Sequence, residues 1–202
     1  DAHVEAFKPI TAFIEARGAV PGIQIAHAGR KAATDAPWRG GMPIADGEGG
    51  WQTIAPSPLA FDKGYAVPRE MAEADMDRFV GEFAAAAQRS LAAGFKVLEL
   101  HMAHGYLMHQ FLSPISNHRN DRWGGTLENR RSFPLRIAAA VRNVWPENLP
   151  LFARISCTDW VENGWDRSQS LDLSARLKDL GIDFIACSSG GTVPDARIPP
   201  GA

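Results

Sequence analysis

The stretch Phe95-Lys96-Val97-Leu98-Glu99-Leu100-His101-Met102-Ala103-His104-Gly105-Tyr106 decides how this chain folds. Its first half is short and apolar and follows Gly94, so it reads as a strand entered straight from the end of a helix. Its second half puts two imidazoles and a phenol where that strand opens into its loop. Polar chemistry gathered at strand C-termini is the habit of a (β/α)8 barrel, whereas a doubly wound sheet is signalled by a glycine-rich turn between a strand and its helix. No G-x-G-x-x-G occurs anywhere in the chain.

The same pattern recurs on both sides. Residues 23–27 form an apolar strand carrying Gln24 and His27, residues 151–156 one that carries Arg154 and ends at Ser156, and residues 183–188 one that runs into Ser188 and Ser189. Helices are expected at 4–16, at 70–93 with Met76, Phe79, Val80, Phe83 and Ala87 on one stripe, from Thr126 to about residue 145, and at 168–180. Thr126, with Asn129 three residues on, is a plausible N-cap, Gly94 and Gly181 are helix terminators, and Pro134 fits only near the first turns. Arg130, Arg136 and Arg142 are expected on the outer face of their helix. A polar loop follows His101. Residues 28–68 are rich in Gly, Pro and Trp without a sustained period and read as a functional loop, in which Trp38 and Trp51 either cover a site or pack the loop. Strand and helix in alternation give the α/β class with a parallel sheet. The fold expected is a TIM barrel of which about four of the eight β/α units are present, residues 1–202 being the central part of one domain.

Composition narrows the function. The 202 residues carry 21 basic and 23 acidic side chains, a formal net charge of -2, which gives no cationic field for nucleic acid. No apolar run approaches the roughly 20 residues that cross a bilayer. Cys157 and Cys187, each in a strand-like run, read as buried thiols of a reducing compartment, so the cytoplasm is the expected location. The chain opens at Asp1 in helical spacing rather than at an initiator Met and closes in loop composition at 198–202, and is therefore read as an excerpt of a longer enzyme.

Three stretches carry a resemblance: Gln24-Ile-Ala-His-Ala-Gly-Arg30, the segment from His101 to Arg130 with Gln110-Phe-Leu-Ser-Pro114, Asn117, Arg119 and Gly124-Gly125, and Phe152-Ala-Arg-Ile-Ser156. On these the chain resembles the old yellow enzyme family of flavin-dependent ene-reductases, closest to bacterial xenobiotic reductases and NADPH dehydrogenases. The resemblance implies an FMN oxidoreductase that takes electrons from NAD(P)H and reduces the C=C bond of α,β-unsaturated carbonyl compounds. It implies that His101 and His104 anchor the substrate carbonyl, that Tyr106 gives a proton to the α-carbon, and that Gln24, Arg154 and His101 contact FMN, with Arg154 near flavin N1 and O2. Trp123 stands where the family commonly has an aromatic hydroxyl. The family's strands over flavin N5 and its phosphate-binding loops are expected outside these residues.

Other readings stand beside this one. A dienoyl-CoA reductase-like flavoenzyme would need an iron-sulfur cysteine cluster, and a catalytically incomplete half-barrel would have no activity. Zinc ligation by His101, His104 and His109 lacks a carboxylate or thiol at a helpful spacing, and no H-E-x-x-H occurs. His27, Arg30, Asp121, Arg122, Glu128 and Arg130 read as structural, and His109 and His118 as solvated or structural. Small-molecule enones or other activated alkenes are the expected partners, with a homo-oligomer left open.

Overall fold

A computed structural model describes residues 2–45 and 47–198. The chain runs α1 (Ala2–Ala16), β1 (Gly22–Ile25), β2 (Ile54–Ala55), β3 (Arg69–Glu70), α2 (Glu73–Ala92), β4 (Val97–Met102), α3 (Leu107–Leu112), α4 (Leu127–Val144), β5 (Leu151–Ser156), α5 (Arg167–Asp179) and β6 (Phe184–Ser188). Strands β1, β4, β5 and β6 form one parallel sheet in that order. The loop expected at 199–202 lies outside the described residues. Among the described residues no helix is long and apolar enough to cross a membrane.

The register sorts the side chains. Gln24 pairs with Glu99, Glu99 with Phe152 and Phe152 with Phe184, and two residues further along His101 pairs with Arg154 and Arg154 with Ala186. Because side chains alternate along a strand, all of these share one face, and Leu98, Leu100, Met102, Leu151, Ala153 and Ile155 share the other. The second set is fully buried, alongside Phe79 and Phe83 of α2, Phe133, Ile137 and Val141 of α4, and Leu173 and Leu177 of α5. The hydrophobic core is thus on one side, with α2 and α4 packed together over it. The first set carries the polar residues and leaves Phe184 55% exposed. A sheet clothed on one face, with chemistry on the other, is the arrangement of a barrel wall rather than of a doubly wound sheet.

Local sequence explains the ends. Met76, Phe79, Phe83 and Ala87 are the buried stripe of α2, and the chain leaves that helix through Gly94 at φ 95°. Thr11 of α1 donates to Ala93 O at 2.7 Å, docking α1 against this exit. Thr126 caps α4 by accepting the Asn129 N–H, as its spacing indicates.

Several expectations are corrected. The segment after β4 is not a polar loop throughout, because all six residues of α3 are buried. Pro134 lies inside α4 about two turns from its start, beyond the first turns, and is buried there. Arg130 is buried instead of outward-facing, since its guanidinium donates to Leu112 O, Gly125 O and Gln169. Cys187 is exposed and Cys157 only half-buried, so the two are not core thiols: Cys187 lies on β6, the outermost strand of the sheet, and Cys157 just past the end of β5. Residues 28–68 contain two 3-10 turns and the short parallel pair β2–β3, and Trp38 and Trp51 stand mostly exposed on this excursion.

Candidate active site

Strand β4 delivers His101 and, past its end, the turn that carries His104 and Tyr106. That turn is conformationally demanding, with His104 at φ 58° and Gly105 at φ 70°. The left-handed region is unfavourable for a residue with a Cβ, so His104 needs outside restraint. Four hydrogen bonds provide it. His104 N donates to Ser156 Oγ at 2.9 Å, Lys31 Nζ donates to His104 O at 3.0 Å, Gly105 N donates to His109 Nδ1 at 2.9 Å, and Gln110 Nε2 donates to Gly105 O at 2.7 Å.

His109 is held in turn by Asp159, 3.0 Å from its Nε2, both side chains being 0% exposed. The Asp159 carboxylate also accepts from Ser113 Oγ, Thr192 Oγ1 and the Trp165 N–H. Burial alone would raise its pKa, but His109 and the two hydroxyls overrule that and hold the group at about 2. His109 is therefore structural and not solvated.

The two candidate imidazoles meet in a T-shaped contact, their planes at 86°, with His101 Nε2 3.3 Å from His104 Nδ1. The ring of Tyr106 lies 4.9 Å from that of His101 in a T-shaped contact. Both histidines are held neutral. Burial, then the neighbouring His104 and Arg154, pushes His101 down to about 4, and burial followed by Arg154 lowers His104 as well. Neutral imidazoles act as hydrogen-bond donors through a single N–H each.

Arg154 stands beside His101 in register on the open face. Its Nε is buried and has no hydrogen-bond partner among the described residues. A guanidinium so placed, with no carboxylate paired to it among the described residues, fits an anionic or carbonyl-rich ligand lying over the sheet. Gln24 is brought to the same face, exposed, with its amide hydrogen-bonded to Glu99. These side chains suit the polar edge of a flavin, and Gln24 is already oriented by Glu99. His101, His104, Tyr106, Arg154 and Gln24 thus come together on one face and at its rim.

The remaining residues fall outside this cluster. His27 packs against Phe79, Arg30 donates to Leu59 O and Thr192 O, Asp121 pairs with Arg119 and Arg122 with Glu73. Among the described residues no three His, Cys, Asp or Glu side chains gather as a metal site. Sequence reasoning missed Lys31, whose Nζ lies 5.4 Å from the centroid of the Tyr106 ring and also donates to Gly191 O. It missed Glu99 and Asp159 too. Lys31 follows Arg30 in an irregular segment, so no periodicity signals it.

Residues 1–200 match the NADH:flavin oxidoreductase / NADH oxidase family. The chain is 41% identical over 202 residues to an NADPH dehydrogenase of Bacillus subtilis (strain 168), covering all of this chain and 55% of that protein. Among solved structures it resembles the old yellow enzyme homologue from Zymomonas mobilis, with a TM-score of 0.76 and 27% identity over 93% of this chain and 52% of that one. It also resembles a 2-naphthoyl-CoA reductase in complex with 2-naphthoyl-CoA, with a TM-score of 0.83 and 29% identity over 97% of this chain and 30% of that one. The chain spans about half the length of the curated relatives it matches.

Proposed function

This chain belongs to the NADH:flavin oxidoreductase / NADH oxidase family, and from that premise we propose that it serves FMN-dependent reduction of the C=C bond of α,β-unsaturated carbonyl compounds, with NAD(P)H as electron donor. The observation that carries the reading is the imidazole pair, His101 Nε2 3.3 Å from His104 Nδ1 at a strand end, with the Tyr106 ring beside it. FMN, when bound, supplies the electron pair that reduces the alkene.

The residues of the chain supply the rest. His101 and His104 hold the carbonyl oxygen and draw charge onto it, which makes the β-carbon electrophilic. Their neutrality matters, because an imidazolium pair would repel itself and a neutral pair donates without giving up its proton. Tyr106 gives its phenolic proton to the α-carbon as charge develops there. Arg154 and Gln24 bind the pyrimidine edge of the flavin, where the guanidinium favours the negative charge that accumulates on reduction. Support for that assignment is the buried Arg154 Nε without a partner among the described residues.

Tyr106→Phe tests the proton-donor role. Alkene reduction is expected to slow by about 10²–10⁴-fold, the usual worth of a general acid, while reduction of the flavin by NADPH is spared. Equal losses in both half-reactions would contradict it. The likeness to a 2-naphthoyl-CoA reductase favours a second reading, in which the unsaturated carbonyl is an acyl-CoA thioester. Product analysis with a free enone and with an enoyl-CoA separates the two.

A further inference from the structure

The histidine pair holds an ambiguity that the chain itself resolves. Each neutral imidazole has one N–H and one acceptor nitrogen, and the partner of one nitrogen decides where the proton sits on the other. For His101 the choice is fixed, because the Ala103 N–H donates to its Nδ1 at 3.2 Å and so leaves the proton on Nε2. For His104 the outer nitrogen, Nε2, lies 2.6 Å from Ser188 Oγ. A hydroxyl either donates or accepts at that distance.

We propose that Ser188 is a positioning residue for the substrate oxygen: by donating its Oγ–H to His104 Nε2, it places the His104 proton on Nδ1, so that both facing N–H groups of the pair converge on one acceptor. This inference rests on the reading of His101 and His104 as a carbonyl anchor. With no oxygen between the rings, two N–H groups facing each other across 3.3 Å would repel. The hydroxyl then turns over and accepts from His104 Nε2–H, and His104 Nδ1 accepts from His101 Nε2–H. The move between the self-paired and the ligand-binding arrangement therefore combines a rotation of the Ser188 hydroxyl with exchange of the His104 proton between Nε2 and Nδ1 by way of solvent, and every imidazole nitrogen is occupied in both.

The placement of Ser188 suits the task. It ends β6, pairs in register with Ser156, and its carbonyl accepts from Cys157 N at 2.7 Å, so the sheet fixes where its Oγ points. Ser156 in turn accepts from His104 N. The two serines thus hold His104 from its backbone and from its ring.

The test is imidazole 15N NMR of the flavin-loaded protein, in the wild type, Ser188→Ala and Ser188→Thr, with and without 4-hydroxybenzaldehyde as the phenolate probe. In the wild type His104 is expected to carry its proton on Nε2 without the probe and on Nδ1 with it. Ser188→Ala should redistribute the His104 tautomers even without the probe and weaken probe binding about ten- to a hundred-fold, the worth of one hydrogen bond to a charged oxygen. Ser188→Thr, which keeps the hydroxyl, should restore both. Unchanged His104 tautomers in Ser188→Ala would overturn the proposal whatever the affinity does. A wild type that shows the Ser188-dependent tautomer yet binds no phenolate would instead contradict the carbonyl-anchor reading, and with it the part of Ser188 in holding an oxygen.

Discussion

At the scale of single residues, the site is governed by what burial does to charge. His101 is kept neutral down to about pH 4 by burial, then by His104 and Arg154, and Asp159 is kept ionised down to about 2 by His109, Ser113 and Thr192 against the opposing effect of its own burial. The signs lead to one expectation. A histidine whose folded pKa is depressed loses stability as pH falls from its unfolded value of 6.5 toward 4, because only the unfolded chain takes up the proton. A carboxylate depressed from 3.8 to about 2 contributes stability that is complete above 3.8 and lost as pH falls through 2. His27 and His104, also lowered chiefly by burial, act in the same sense as His101. Melting temperature against pH should therefore decline in two stretches on acidification. His101→Asn should lessen the slope of the upper one and Asp159→Asn that of the lower. A slope indifferent to both changes would show that neither group's environment is as described.

At the scale of elements, the turn after β4 is held against the segment after β6 by two glycines. Gly105 at φ 70° and Gly191 at φ 93° approach so closely that a Cβ on Gly191 would lie 2.6 Å from the His104 backbone, and one on Gly105 would meet Gly191 O. Neither obstacle is a flexible side-chain tip. Gly191→Ala should therefore displace the His104 turn and weaken phenolate binding severalfold more than its loss of melting temperature would suggest. Equal binding in the variant and the wild type would contradict this packing. How far such elements are legible in sequence depends on what makes them. The strands β4, β5 and β6 are short apolar runs between strong terminators, and α2 is a clean apolar stripe closed by Gly94, so local chemistry alone locates them. The helix α3 is not legible, because Leu107–Leu112 is buried on every side and shows no amphipathic period. Arg130 misleads for a related reason: a guanidinium looks solvated in sequence until acceptors surround it, here Gly125 O close by and Leu112 O and Gln169 from farther along the chain.

At the scale of the whole molecule, one parallel sheet gives its two faces different tasks. Helices α2, α4 and α5 bury the apolar face, and the other presents His101 and Arg154 as register neighbours with Gln24 one step lower, beside Glu99. The residues of the site that alternate along a strand or end one were legible, since their positions follow from the strand period. Lys31, Glu99 and Asp159 were not, because their roles arise from long-range pairing: Lys31 reaches His104 from an irregular loop, and Asp159 meets His109 from the segment after β5. The proposed function has the imidazole pair, beside a flavin bound along Arg154, grip an oxygen of the substrate. It is tested most directly by the visible spectrum of the FMN-loaded protein during titration with 4-hydroxybenzaldehyde. A long-wavelength charge-transfer band that grows with the phenolate, and is lost when His101→Ala and His104→Ala are combined, is the predicted result. A band that persists unchanged in the double variant, or a wild type whose flavin spectrum ignores the phenolate, would contradict it.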